Sequence, residues 1–395
     1  MKENEVSALT GRARRVQPFH VMRLLGRAHA LEAEGRSILH LEIGEPDFST
    51  PAPIVEAGRA ALASGRTHYT AAAGLPELRG AIADYYGHRY GLDVAPRRIL
   101  VTPGASGALQ LVFSALLEPG DSVLLGDPSY PCYRQVLGLM GCNCVAVPLS
   151  AETHYRLTVE AARAAWVPGI RAVVVASPAN PTGSVLSRSE ISALHAFCRS
   201  RGAALIVDEI YQGLTYGIPD ETALSVGCQD LYVINSFSKY FGMTGWRLGW
   251  LVGPEDAVEV MERLAQNLFI AANTPAQHAA LAAFGDDAKR ILEARRESFQ
   301  QRRDRLFPAL RELGFAIPHR PNGAFYLYAD LPAHCGMDSM AFATGLLEEV
   351  GVAITPGHDF GDHGAARHVR FAYTRDLAQL DEAVSRLGAY LAGVG

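Results

Sequence analysis

One lysine, Lys239, stands in Asn235-Ser236-Phe237-Ser238-Lys239-Tyr240-Phe241-Gly242-Met243-Thr244-Gly245-Trp246-Arg247-Leu248-Gly249-Trp250 among serines, aromatics and an arginine. The chain otherwise avoids lysine: of its 36 basic residues only Lys2, Lys239 and Lys289 are not arginine. Arginine stays protonated in proteins. A lysine in a partly desolvated pocket beside another cation can give up its proton and attack an aldehyde as a free amine. Ser236, Ser238 and Arg247 carry the donors to converge on a phosphate.

A second segment, Ala203-Ala204-Leu205-Ile206-Val207-Asp208-Glu209-Ile210-Tyr211, ends a buried apolar run in two carboxylates. An acid there could hold Mg²⁺ in a nucleotide hydrolase, cap a helix, or pair with a protonated heterocyclic nitrogen. The first reading needs a Gly-x-x-x-x-Gly-Lys-[Ser/Thr] loop, and none of the three lysines follows a glycine. In a third segment, Ile99 to Leu109, an apolar run leads through Pro103-Gly104-Ala105-Ser106-Gly107 into a helical pattern. Such a turn aims helix N-terminal amides at an anion, although glycines also serve purely steric needs in turns of this kind. His358-Asp359, Asp362 and His363 match no metal-ligand spacing. They read as a loop near the mouth of a site, with no metal expected.

The elements that must position these residues follow from hydrophobic patterning. Apolar runs recur at Arg98–Thr102, Ser122–Gly126, Cys144–Pro148, Ala172–Ala176, Ala204–Val207, Leu231–Ile234 and Arg247–Val252, and most read as strands covered on both faces. Helical patterns such as Gly107–Leu117, Arg134–Gly141 and Ser187–Arg201 lie between them. The alternation predicts an α/β fold with a mostly parallel sheet of about seven strands, whose ligands sit beyond the strands' C-terminal ends. From about Asp286 the character changes to a long charged helix, Ala288–Leu313, and short strand-like segments around Tyr326, Ile354 and Arg370. That predicts a smaller α+β domain over 286–395. Residues 1–45, with an amphipathic Val21–Ala33 and a strand-like Ile38–Ile43, are expected to pack against it, leaving 46–285 as the large domain.

Composition narrows the classes. The 395 residues are 49% hydrophobic and 19% charged, with a net charge of −5, which fits a globular protein and disfavours nucleic-acid or anionic-membrane partners. Met1-Lys2-Glu3-Asn4-Glu5 has no apolar signal core, and no apolar stretch approaches a membrane span. Six cysteines in so long a chain form no disulfide framework. A cytoplasmic location is the expectation.

Taken together, these motifs resemble a fold-type I pyridoxal-phosphate enzyme of the class I and II aminotransferase family, over nearly the whole chain. Leu41-Glu42-Ile43-Gly44-Glu45-Pro46-Asp47-Phe48 is similar to the family's N-terminal substrate loop. Tyr69-Thr70-Ala71-Ala72-Ala73-Gly74-Leu75-Pro76-Glu77-Leu78-Arg79 and Ser177-Pro178-Ala179-Asn180-Pro181-Thr182-Gly183 match further signatures, and the Lys239 and Arg370 segments follow in the family's order.

The resemblance implies that Lys239 bonds the aldehyde of pyridoxal 5′-phosphate and later moves the proton at the substrate's Cα, with Asp208 keeping the pyridine nitrogen protonated. Asn180 and Tyr211 would bond the ring's 3′ oxygen, and Tyr130 would stack on its face, where many relatives have Trp or Phe. Ala105, Ser106, Ser236, Ser238 and Arg247 would hold the phosphate. Tyr69 would reach it from the second subunit of a homodimer. Arg370 would grip the substrate's α-carboxylate, helped by the Gly44 backbone and Asn180. The implied activity is an aminotransferase that moves the amino group of an L-amino acid to a 2-oxo acid, with 2-oxoglutarate the expected acceptor, by a ping-pong mechanism.

Two other uses of the framework stay open at this point. A β-elimination, such as C–S cleavage of a cysteine conjugate, needs the same residues; a non-catalytic regulator would need an added DNA-binding domain, and the stretch before residue 40 is too short and too weakly basic for one. In one dicarboxylate-specific subgroup an Arg lies shortly before an Asn-x-Pro-Ala-Gln segment. Here Asn273-Thr274-Pro275-Ala276-Gln277 is preceded at the corresponding position by Leu268, a departure that points away from aspartate specificity by that device.

Overall fold

The computed structural model describes residues 9–394, so Lys2 and the Met1–Glu5 stretch lie outside the described residues. The chain enters through helix α1 (His20–Ala33), whose buried Leu24, Ala28 and Leu31 recur at helical spacing and therefore share one face. Strand β1 (Leu39–His40) follows and pairs in parallel with Val352 and Ala353. The longer strand expected over Ile38–Ile43 stops there because Glu42 turns its carbonyl to side chains, accepting from Thr355 Oγ1 and Arg370 Nη2 instead of a neighbouring strand.

The seven apolar runs form one sheet: β2 (Ile99–Thr102), β3 (Ser122–Asp127), β4 (Asn143–Pro148), β5 (Ile170–Ala176), β6 (Ala204–Asp208), β7 (Tyr232–Ser236) and β8 (Gly249–Val252). Their order is β2-β8-β7-β6-β5-β3-β4. Only β8 runs antiparallel to its neighbours, so the sheet is mostly parallel, as its patterning predicts. Alternate residues serve two cores. Val173, Val175, Leu205 and Val207 face one, while Ala172, Val174 and Ile206 face the other, which is why these strands read as unbroken apolar runs. Strand β4 departs from that expectation: it lies at the sheet's edge, and Cys144, Ala146 and Pro148 are exposed.

The crossover helices include α2 (Gly104–Leu116), α3 (Cys132–Met140) and α4 (Arg188–Ser200). Helix α4 starts at a reciprocal cap, with Ser187 Oγ accepting from Glu190 N and the Glu190 carboxylate accepting from Ser187 N at 2.8 Å. Helix α2 has no side-chain cap, so its first-turn amides remain open toward the sheet's C-terminal edge. After α5 (Glu255–Leu268) and the long α6 (Asp286–Glu312), a second sheet forms from β9 (Tyr326–Asp330), β11 (Thr355–Pro356) and β12 (His368–Ala372), in the antiparallel order β11-β12-β9. The β1 partner, Val352–Ala353, is β10.

One connection in this region is pinned from two sides. Asp359 accepts from His20 N at 2.6 Å and Val21 N at 2.8 Å, capping α1 across the length of the chain. Asp127, at the end of β3, accepts from Asp362 N at 3.0 Å and His363 N at 3.3 Å, and Ser129 N donates to Phe360 O at 2.9 Å. Gly361 is obligatory between these clamps, because a Cβ there would stand 1.7 Å from Asp127 Oδ1. Among the described residues, no helix is long and apolar enough to cross a membrane.

Candidate active site

A cavity of about 430 Å³ opens at the C-terminal edge of the large sheet, between it and the second sheet. That size suits a small-molecule site. Ala105, Ser106, Tyr130, Asn180, Asp208, Tyr211, Ser238, Lys239, Arg247, Gly44 and Arg370 all line it, so eleven of the thirteen residues singled out in the sequence converge on one space. Ser236 and Tyr69 do not. Ser236 stands one layer behind, its hydroxyl within 2.9 Å of Ser238 Oγ and 3.1 Å of Leu248 O. Tyr69 is 81% exposed, on a loop tethered by Thr274 Oγ1 donating to His68 O and Gln277 Nε2 donating to Thr70 Oγ1.

Asp208 ends β6, paired with Ala176 of β5 on one side and Ile234 of β7 on the other. Its carboxylate is buried and accepts from Tyr133 Oη at 2.6 Å and Ile210 N at 3.0 Å. Burial raises its pKa, and the two donors oppose the rise. Among the described residues no cation pairs with it, so the anion lacks a positive partner that a protonated ring nitrogen would provide.

Lys239 follows β7 and donates from Nζ to Gly44 O at 2.6 Å, above the rings of Tyr211 and Phe325. Burial pulls its pKa down to about 8; Glu45 opposes this, and Arg370 and Arg247 reinforce it. The backbone around it leaves no freedom. A Cβ on Gly44 would stand 1.9 Å from Tyr326 Oη, which in turn shares a 2.7 Å hydrogen bond with Tyr211 Oη.

The anion-binding end is built from three elements. Helix α2 contributes its open amides at Ala105 and Ser106. The turn after β7 contributes Ser238. Arg247 arrives in the left-handed conformation at φ 54°, with Nη1 donating to Thr244 O at 3.1 Å. Gly104 and Gly249 permit this approach: a Cβ on the first would meet Arg247 Nη2 at 2.9 Å, and one on the second Asn235 O and Gly104 C at 2.8 Å. The amides, hydroxyl and guanidinium suit a phosphate.

At the opposite end Arg370, in β12, is 4% exposed. Its Nη1 donates to Asn180 Oδ1 at 2.8 Å and its Nη2 to Glu42 O at 2.5 Å and Thr355 Oγ1 at 3.1 Å, while Nε is buried without a partner. Tyr326 and Phe360 flank the guanidinium at 4.2 and 4.9 Å. A guanidinium so held, with a donor to spare, suits a carboxylate.

Sequence reasoning missed Tyr133, Tyr326, Thr355, Phe19, Val21 and Phe360. Tyr133 lies 75 residues from the Asp208 it serves, and Phe19 and Phe360 come from opposite ends of the chain, so no local spacing links them. A weak signal existed for Tyr133, three residues after Tyr130 at a helix start. The His358, Asp359 and His363 loop does lie at the cavity, but through the Asp359 cap and Phe360; His358 Nε2 instead bonds Asp338 Oδ2 at 2.7 Å.

Comparison with known proteins places this geometry. Residues 36–387 match the family model "Aminotransferase class I and II". A valine–pyruvate aminotransferase of Mycobacterium tuberculosis is 37% identical over 95% of this chain and 97% of its own. An aspartate aminotransferase of Geobacillus stearothermophilus is 33% identical over 97% of this chain and 98% of its own. Among solved structures, an aminotransferase from Mycobacterium tuberculosis superposes with a TM-score of 0.93 at 37% identity, over 98% of this chain and 99% of the other. The aspartate aminotransferase of Thermus thermophilus with maleate does so at 0.91 and 34%, over 97% and 99%.

Proposed function

This chain belongs to the class I and II aminotransferase family, and from that premise we propose how its residues divide the work. It is a pyridoxal-phosphate-dependent transferase of fold type I that moves the amino group of an amino acid to a 2-oxo acid. The observation that carries the assignment of roles is the convergence of Lys239, Asp208, Arg370 and the open α2 N-terminus on one cavity. When bound, the cofactor supplies an aldehyde for amine exchange and a protonated ring that accepts the electrons of a broken Cα–H bond.

The chain's own groups then do the following. Asp208, buried and ionised, holds the proton on the ring nitrogen; Tyr133 and Ile210 N keep its carboxylate aimed. Ala105 and Ser106 amides, Ser238 and Arg247 hold the phosphate, with Ser236 fixing the Ser238 hydroxyl from behind. Asn180 and Tyr211 bond the ring's 3′ oxygen, and Tyr130 covers its face. Arg370 binds the substrate α-carboxylate, with Asn180 and the Gly44 backbone beside it, which fixes the Cα–H bond for attack. Lys239, neutral above about pH 8, takes the proton from Cα and in the return half-reaction gives one back to the corresponding carbon of the acceptor.

Tyr69, fully formed on its tethered loop yet far from its own cavity's lining, is assigned to the phosphate site of a second copy, so the working unit is a homodimer. Six unpaired cysteines support a cytoplasmic setting. A large unit over 46–285, a small one over 286–395, and residues 1–45 joined to the latter is the division we adopt, supported by the β1–β10 pairing.

The test is the cofactor absorbance of the purified protein as single L-amino acids are added, with products identified. Stoichiometric conversion to the amine form, with the matching 2-oxo acid, is expected. Persistence of the lysine-linked spectrum while ammonia and pyruvate accumulate from a β-substituted substrate would replace this reading with a lyase.

A further inference from the structure

We propose that this cavity selects amino acids and 2-oxo acids whose side chains carry no charge, an inference that rests on the assignment of Arg370 and Arg247 above. Lys239, Arg247 and Arg370 are the cations among the described residues lining the cavity. All three are committed, to the Cα proton, the phosphate and the α-carboxylate. A substrate with a second carboxylate would find no fourth.

What remains for the side chain is the outer wall: Phe19, Val21, Ile43, Tyr130 and Phe360. The charged groups set in that wall are acidic. Asp359 is buried, and both its oxygens are engaged by His20 N and Val21 N. Glu45 lines the mouth and accepts from Thr244 Oγ1 at 2.6 Å. A distal carboxylate would lose water against aromatic and aliphatic surface, gain no donor, and face two like charges. An apolar side chain would gain from the same burial.

The wall cannot easily give way to admit a charge. Phe360 is held by Ser129 N, by the Asp127 clamp on the following turn and by the obligatory Gly361. Phe19 and Val21 are set by the Asp359 cap on α1. Both half-reactions use this one cavity, so the same rule governs the acceptor. A monocarboxylic 2-oxo acid is assigned in place of the 2-oxoglutarate that the family resemblance implies.

The experiment compares near-isosteric pairs on the cofactor-loaded protein: leucine with aspartate, and methionine with glutamate, following the rate of cofactor conversion at subsaturating concentration. Leucine and methionine should react at least ~100-fold faster than their charged counterparts. Val21→Arg, or Phe19→Arg should the first not fold, should narrow that ratio ~10-fold or more by offering the missing cation. Aspartate reacting as fast as leucine, with Arg370→Ala abolishing both, overturns the inference and leaves the site assignment standing. An unchanged ratio in both arginine variants also overturns it, because the wall would not be the selector. Failure of every amino acid to convert a lysine-bound cofactor sinks the site assignment and the inference together.

Discussion

The two ends of the cavity are built by different means. Its floor comes from the C-terminal edge of β6, β7 and the turn after β7, where Asp208 and Ser236 are locked into register by backbone ladders on both sides and Lys239 follows within three residues of the last strand. Its outer wall comes from Phe19 and Val21 at one end of the chain and Phe360 at the other, joined by two hydrogen bonds to a single carboxylate, Asp359. A rigid sheet edge suits proton transfer, which fails when a group shifts by an ångström. A wall of side chains tethered at a few points can change its residues without disturbing that edge. Chemistry should therefore respond to substitutions in the floor and selectivity to substitutions in the wall.

The strongest test of that division is Lys239→Ala. Turnover should fall ~10⁴-fold or more, and the lysine-linked cofactor absorbance should vanish while the protein still folds. A variant retaining that absorbance would refute the assignment. Arg370→Ala comes next. Leaving the α-carboxylate without its partner should cost about 3–5 kcal/mol, read as a loss of ~10²- to 10³-fold in kcat/KM for all amino acids alike. A loss confined to one side-chain class would move Arg370 from the chemistry to the selectivity side.

The pH response of the floor is smaller and directional. Lys239 titrates near 8, well below an ordinary lysine, and only the neutral amine attacks an aldehyde. Below that pH the neutral fraction drops about tenfold per unit, so capture of added pyridoxal phosphate by the cofactor-free protein should accelerate as pH rises to about 8 and then level off. A plateau reached only two units higher would mean the amine is not desolvated. The smallest effect belongs to the wall. Asp359→Ala removes the α1 cap, worth ~1 kcal/mol, and should relax the preference between leucine and aspartate by a few-fold while leaving the cofactor spectrum as it was. A changed spectrum would mean that wall and floor are coupled after all.

Much of the floor could be read from the chain alone. Strand-ending polar residues such as Asp208 and Ser236, and a lysine kept among arginines, are local signals, because a parallel sheet delivers the ends of successive apolar runs to one edge. Asp208 and Glu209 show where local signals end. They are neighbours, yet Asp208 faces the cavity while Glu209 turns the other way, accepting from Thr222 Oγ1 at 2.8 Å and from Ala223 N, with burial pushing its pKa up to about 8. Propensity cannot say which of two adjacent acids is functional; the side to which each side chain projects is decided by packing.

Sequence by itself determined the order and type of the main elements, the glycines without which the phosphate end cannot close, and the ionisable groups available for catalysis, because each depends on residues within one turn or strand of one another. Tertiary structure alone decided that Tyr133 aims Asp208, that Asp359 ties Val21 to Phe360, and that the space left for a side chain is apolar. Those pairings join residues 75, 338 and 339 positions apart, and their geometry exists only after the two sheets have packed and excluded water from the space between them.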